Sequence, residues 1–368
     1  MSENAKDIST KEEKDLIKKM IHMVNPEDCR EIRETLNMTE KGTVKNSMEN
    51  YVTVLRKDPL LAGSLRYNRL TEKIDVKKVL WWNKEPCVLT NKGRKALRYF
   101  FEKYYGLFNE GVMDDALDLE AYSKEYHPIC EYLENLEWDG KERIRNVLKV
   151  YMGADDSDMV YEMLKHFMMG ALNRIYCPGC KFDEMLCLVG QQGAGKSTFF
   201  RFLALDDQWF SDSLKNLNME KPYELLRGHW ILEMSEMTAA ISAKSIEETK
   251  SFLSRMKETH RNPYEKYEED RPRQCVFAGS SNNRQFIPFD RTGARRFLPI
   301  EIDSSKAEKH ILDNEQEARE YFDQLWAEAM YCSMQLKINR NYCGLTVRWN
   351  LISMNIGNSS CRKIQWQE

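Results

Sequence analysis

The sequence predicts an α/β protein in which a P-loop nucleotide-binding core follows a smaller helical or α+β N-terminal region. Three observations carry that expectation. From about Asp158 onward, short apolar runs alternate with helical patterns, as in a largely parallel sheet flanked by helices. Within that stretch, the run GQQGAGKS lies between an apolar run and an amphipathic helix. Upstream, from about Thr43 to Asp118, the pattern changes to scattered apolar groups, the pair Trp81 and Trp82, and one helical stretch, GRKALRYFFEKYYG.

Composition sets bounds on what such a chain can be. At about 150 residues per domain, 368 residues imply roughly two domains. With 42% hydrophobic and 31% charged residues, the chain is neither disordered nor collagen-like. Its 55 Lys and Arg against 58 Asp and Glu exclude nucleic-acid binding by bulk charge, so any polyanion site must be local. No apolar run is long enough to span a bilayer, and the start MSENAKDISTKEEKDLIKKM is charged, so a soluble cytoplasmic protein with no membrane partner is expected. Ten Cys are too sparse for a disulfide scaffold and are expected to be reduced. Cys177 and Cys180, in CPGC, read as a Pro-Gly turn, because a zinc site needs about four ligands and only Cys187 is near.

The elements follow in order. Residues 1–42 form a charge-rich arm with a helical look in KDLIKKMIHMV, and residues 43–119 form the accessory domain. Residues 120–157 are a helical collar, in which YHPICEYLENLEWDGKERIRNVLKVYMG reads as two helices broken at WDG. Residues 158–334 are the core: helix MVYEMLKHFMMGALNRIY, turn CPGC, strand EMLCLVG, glycine loop, helix KSTFFRFLAL, strand HWILEMS, a helix, and strand QCVFAGSS. After Glu328 no acidic residue appears until Glu368, while Lys337, Arg340, Arg348, Arg362 and Lys363 accumulate. Residues 335–368 are therefore expected to be an atypical tail rather than a packed continuation.

The strongest chemical signal is the glycine run. Gly190, Gly195, Lys196 and Ser197 match G-x-x-x-x-G-K-[ST] at every fixed position. A strand ending at Val189 and a helix starting at Lys196 would aim backbone N–H groups and a helix N-terminus at a phosphate chain. The run Gly190, Gln191, Gln192, Gly193, Ala194, Gly195, Lys196, Ser197 and Thr198 is the candidate site for ATP and Mg²⁺. Lys196 would reach the β/γ-phosphates, and Ser197 would place its hydroxyl on the metal.

Hydrolysis also needs a carboxylate at the end of a second strand. HWILEMSEM supplies Glu233 and Glu236, which point to different sides if the strand persists. Glu236, just past the end, is the better placed for catalysis and metal. The strand CVFAGSS runs into Asn282, whose amide can meet a γ-phosphate or the attacking water. In DRTGARRFLPI, either Arg295 or Arg296 could stabilise a transferring phosphoryl group; action in trans would require a ring. Between these strands, Lys250, Arg255, Lys257 and Arg261 interleave with Tyr264 and with acidic residues. The segment is either a solvated helix and loop or a loop that tracks a nucleic-acid backbone.

Taken in order, YHPICEYLENLEWDG, PGCKFDEM, GQQGAGKST, WILEMSEM, SFLSR, HRNPY, GSSN and TGARRF resemble the virulence-associated protein E family of phage and mobile-element proteins. The resemblance spans about residues 120–334, and residues 43–119 more weakly. It implies an AAA+-like, superfamily 3 helicase-like ring ATPase, with Gly190 to Ser197 as Walker A, Glu236 or Glu233 as the Walker B acid, Asn282 as sensor and Arg295 or Arg296 as finger. The Lys250 to Arg273 insert would occupy the place of the DNA-contacting element. Three departures stand out, the first being that the tail after LWAEAMYCSMQLK no longer resembles the family. The acidic strand lacks an adjacent Asp-Glu pair, leaving open the division between metal ligand and base. No primase-polymerase segment is recognisable upstream, so a chain that both primes and unwinds is not expected.

The reading is a Mg²⁺-dependent ATPase, a DNA helicase or helicase-like replication protein of a prophage or mobile element, acting as a homo-oligomeric ring on single-stranded DNA or a replication fork. Its rivals are an ATP-gated DNA-binding loader without unwinding activity, a small-molecule kinase, and an inactive truncated remnant.

Overall fold

The computed structural model describes residues 14–214, 222–235, 243–260, 267–282 and 296–335. The chain divides at Pro128 and Ile129 into two compact units. Among the described residues, no helix is long and apolar enough to cross a membrane.

The first unit is α+β. Strands β1 (Leu65–Asn68), β2 (Lys73–Val76) and β3 (Cys87–Val88) form an antiparallel sheet in that order. Helices at 14–23, Pro26–Glu34, Met48–Lys57, Asn91–Phe100 and Glu110–Tyr122 accompany it. Residues 14–42 are not a free arm. Met20, Val24, Cys29, Ile32 and Leu36 belong to the same core as Tyr51, Trp81, Phe100 and Leu117. Their helical spacing puts one apolar face inside while the charges stay in water, which a charge-rich sequence conceals. The stretch GRKALRYFFEKYYG is helical from Thr90, whose hydroxyl caps Gly93 N, and ends in a π-turn, Phe101–Tyr105, closed by Gly106 at φ +69°.

The second unit is built on a five-stranded sheet of β4 (Met185–Val189), β5 (Phe210–Ser211), β6 (Ile231–Met234), β9 (Val276–Ser281) and β10 (Phe297–Glu301). The order is β10-β4-β9-β6-β5 and every pairing is parallel. The α/β class expected for this half is what the structure has. All five residues of β4 are buried, as befits a strand covered on both faces. Pro299 lacks a ladder donor and lies on β10, an edge strand. The collar segment forms helices Pro128–Glu134 and Val147–Met152, separated by a longer irregular stretch than a WDG break alone would need. Glu328 organises that stretch by accepting from the backbone N–H groups of Arg143 and Ile144.

Two tryptophans tie helices to the sheet. The fully buried rings of Trp230 and Trp326 lie 4.4 Å apart, and their N–H groups donate to Ala171 O and Leu203 O. The helix Asp158–Tyr176 starts at Ser157, which accepts from Val160 N. It ends at the CPGC turn, where Gly179 at φ +78° follows Pro178 and Cys180 N donates to Cys177 O, a type II arrangement. Cys187 is buried in β4, and burial pushes its thiol pKa well up. Among the described residues, no group of three or more His, Cys, Asp or Glu could hold a metal ion.

The insert between β6 and β9 is not a plain helix and loop. After the helix Ala243–Leu253, β7 (Lys257–His260) and β8 (Glu269–Pro272) pair antiparallel as a separate two-stranded hairpin. Alternation in KETH and EDRP is polar on both faces, so periodicity gave no strand signal.

Candidate nucleotide-binding site

The site lies at the carboxyl ends of the parallel strands, where α/β sheets place their ligand crevices. The chain leaves β4 at Val189, makes the glycine loop and enters the helix Lys196–Leu203. The sheet neighbours of β4 leave no room at the start of the loop. A Cβ on Gly190 would meet Ile302 Cγ1 at 2.5 Å and Ile302 O at 2.6 Å. At the loop's end Gly195 takes φ +79° as the helix N-cap residue, a left-handed conformation that side chains disfavour.

Lys196 is 8% exposed, and its ammonium stays inside the loop. Its Nζ donates to Gly190 O and Gln191 O, each at 2.8 Å, and to Asn282 Oδ1 at 2.9 Å. Burial pulls its pKa down, partly offset by the negative charge of Glu233. Asn282, at the end of β9, is itself exposed at the mouth of the crevice.

Beneath the loop, Ser197 Oγ donates to Glu233 Oε1 at 2.9 Å. Glu233 is fully buried on β6, and Ser280 Oγ, from β9, donates to the same oxygen at 2.5 Å. Burial raises the Glu233 pKa against the two serine hydroxyls and Lys196, which favour the charged form; Asp212 adds to the rise. Glu233 Oε2 is buried with no hydrogen-bond partner among the described residues. A serine hydroxyl beside a carboxylate with one unused oxygen is a hard-oxygen donor set, which suits Mg²⁺.

The structure brings Lys196, Ser197, Glu233 and Asn282 together. Glu236 and Arg295 lie outside the described residues, as do Arg261 and Tyr264. Arg296 is committed within its own chain: its Nε donates to Asp183 Oδ2 at 3.0 Å and to Ser254 Oγ at 3.2 Å.

Of the candidate nucleic-acid residues, Lys250 is 5% exposed, enclosed on its helix. Arg255 and Lys257 are on the surface, paired with Glu258 and Asp270 respectively. Arg273 is buried instead, bonded to Glu258 and to Phe252 O, and serves as an internal strut of the hairpin base.

The sequence pattern of the virulence-associated protein E-like domain matches residues 133–340, more than half of the chain. The chain belongs to the virulence-associated protein E-like family. The match falls wholly within the second unit and contains the glycine loop, Glu233 and Asn282. Two solved structures of the NrS-1 C-terminal region, both A form and apo, are similar at 15% and 14% identity, with TM-scores of 0.46 and 0.47. They cover 72% and 77% of this chain; the chain covers 65% of the first and 68% of the second. No curated protein matches the chain.

In this virulence-associated protein E-like chain, sequence reasoning missed two site residues. Ser280 gave no signal, being one of two serines in FAGSSN, and its inward face follows only from the strand register. Asp212 immediately follows β5, whose pairing of Ser211 with Leu232 brings it beside Glu233. The run WFSDS holds too short an apolar group to announce a strand.

Proposed function

We propose that the chain is a Mg²⁺-dependent ATPase of the P-loop class that works on DNA as a homo-oligomeric ring, a helicase or helicase-like replication protein of a prophage or mobile element. The observation that carries the reading is the pairing of Ser197 with the buried Glu233, on the strand next but one to the glycine loop, with Lys196 and Asn282 meeting above it. Family membership and the order of motifs support the same reading.

In the proposed reaction, the phosphates of ATP lie on the backbone of Gly190 to Thr198 at the helix N-terminus. Lys196 Nζ exchanges its carbonyl partners for the β- and γ-phosphates, and Asn282, released from it, meets the γ-phosphate or the attacking water. Bound Mg²⁺ would supply Lewis-acid neutralisation of phosphate charge. Ser197 and Glu233 would hold it. Glu236, two residues past the end of β6, orients and activates water. With Arg296 Nε bonded to Asp183, Arg295 is the finger in this proposal, acting on the neighbouring subunit's nucleotide. The β7–β8 hairpin, with Arg255, Lys257 and the Arg261 to Tyr264 stretch, is the proposed DNA contact.

The test is the ATPase rate of the purified chain with Mg²⁺, with and without single-stranded DNA, alongside Lys196→Ala. DNA-stimulated hydrolysis lost in the variant supports the reading; full activity in Lys196→Ala refutes the site. DNA-independent hydrolysis removes the motor and keeps the ATPase.

A further inference from the structure

Glu233 receives two hydroxyl donors on a single oxygen. Ser197 Oγ and Ser280 Oγ both donate to Oε1, and Oε2 has no hydrogen-bond partner among the described residues. The arrangement follows from the register of β6 and β9. Glu233 is the partner of Ala278, so Ser280 and Asn282, two and four residues further on, share its face of the sheet. One face of β9 therefore reaches both halves of the site: Ser280 holds the acid, and Asn282 holds the Lys196 ammonium. Ser280 is 5% exposed and donates to Glu233 from within the sheet.

We propose that Ser280 is a positioning residue that fixes the Glu233 carboxylate so that Ser197 Oγ and Glu233 Oε2 form the divalent-cation side of the site. The terminal torsion of a glutamate is broad, and one hydroxyl donor leaves the carboxylate free to turn about it. A second donor on the same oxygen removes that freedom. With its proton committed to Oε1, Ser197 keeps its lone pairs for a cation, and Oε2 stays available for the cation or its water. Groups behind a metal ligand that act this way are worth about 10- to 100-fold in metal affinity or activity. The inference rests on the ATPase reading above.

The experiment measures Mn²⁺ affinity by electron paramagnetic resonance, on the full chain saturated with a non-hydrolysable ATP analogue, with analogue affinity in EDTA measured in parallel. Ser280→Ala is expected to weaken Mn²⁺ binding about 10-fold and to leave analogue affinity in EDTA unchanged. Ser280→Thr, which keeps the hydroxyl, is expected to restore most of it, and Ser280→Cys, near-isosteric with a poor donor, to behave as the alanine variant. In turnover the loss appears as a higher Mg²⁺ requirement at unchanged KM for nucleotide. Wild-type Mn²⁺ affinity in both Ser280→Ala and Ser280→Cys overturns the inference and leaves the ATPase reading standing. If the wild-type chain binds the analogue but adds no Mn²⁺ site to it, the ATPase reading fails, and this inference with it.

Discussion

Ser197, the first hydroxyl of the helix that follows the glycine loop, donates to Glu233 across 2.9 Å from a strand that is not adjacent to the loop's own strand. β9 lies between them, so the contact exists only because three strands are in register at their carboxyl ends. The relation places Glu233, and the proposed division of roles with Glu236, three residues on in the sequence, gives a prediction. Glu233→Gln is expected to cut Mg²⁺ affinity about 10- to 100-fold, while Glu236→Gln is expected to lower turnover with bound ATP retained. Nucleotide binding and single-turnover hydrolysis of the two variants distinguish the roles.

Gly190 is in steric contact with the segment that follows β10. Gly190→Ala drives a methyl group into Ile302 Cγ1 and the Ile302 carbonyl, which cannot both move away. The expected cost is about 1–3 kcal/mol, as for other overpacked sites, together with loss of nucleotide binding. Urea unfolding and fluorescent-nucleotide titration measure the two effects separately.

Arg273 and Glu258 are a buried pair at the hairpin base, with side chains 1% and 8% exposed. Arg273→Ala leaves Glu258 with only the exposed Arg255 of its two cations and strips a cation from the Phe252 ring face, 4.4 Å away. Removing one member of such a pair costs about 3–5 kcal/mol. Chemical denaturation monitored in the second unit should register it; a change below about 1 kcal/mol would contradict the strut role.

Arg255, just before β7, and Lys257, on it, are both exposed; Lys257 pairs with the exposed Asp270, and Arg255 with the buried Glu258. Replacing both by Ala is expected to reduce the slope of log affinity against log salt for single-stranded DNA by about 2, roughly one per phosphate contact. ATP affinity should not change. An unaltered slope would move the DNA contact elsewhere.

Glu120 supplies a pH test in the first unit. Burial would raise its pKa, but the Lys124 and Arg56 ion pairs outweigh burial and hold it below the usual glutamate range. The folded pKa is therefore lower than the unfolded one, so the stabilisation is present above the unfolded value of about 4.3 and is lost as pH falls through the folded value. Stability of the first unit should fall on acidification in that window, and Glu120→Gln should flatten the dependence in thermal unfolding against pH.

The readable parts of this protein were those in which local chemistry is specific. GQQGAGKS could be placed between strand and helix because close backbone approach demands Gly190, and a left-handed cap demands Gly195. CPGC could be read as a turn because Pro-Gly is a turn pair, and Gly179 takes the φ of +78° with Cys180 N bonded to Cys177 O that a type II turn has. The hairpin was not readable: its strands are short and polar on both faces, and what buries Arg273 is Glu258 and Phe252, distant or weakly marked in sequence. Residues 14–42 misled in the other direction, since charge on one helical face hides an apolar stripe on the other.

By itself, the sequence determined the α/β class of the second unit, the succession of β4, β6 and β9 along the chain and the residue types at their ends. Tertiary structure alone decided which of those residues meet. Strand order in the sheet, β10-β4-β9-β6-β5, is not chain order. The parallel register therefore brings Ser280 and Glu233, 47 residues apart, onto one oxygen, and commits Arg296 to Asp183. Local propensity acts over a few residues, whereas register is set by burial across the whole sheet, so the site's partners become visible only when the sheet is assembled.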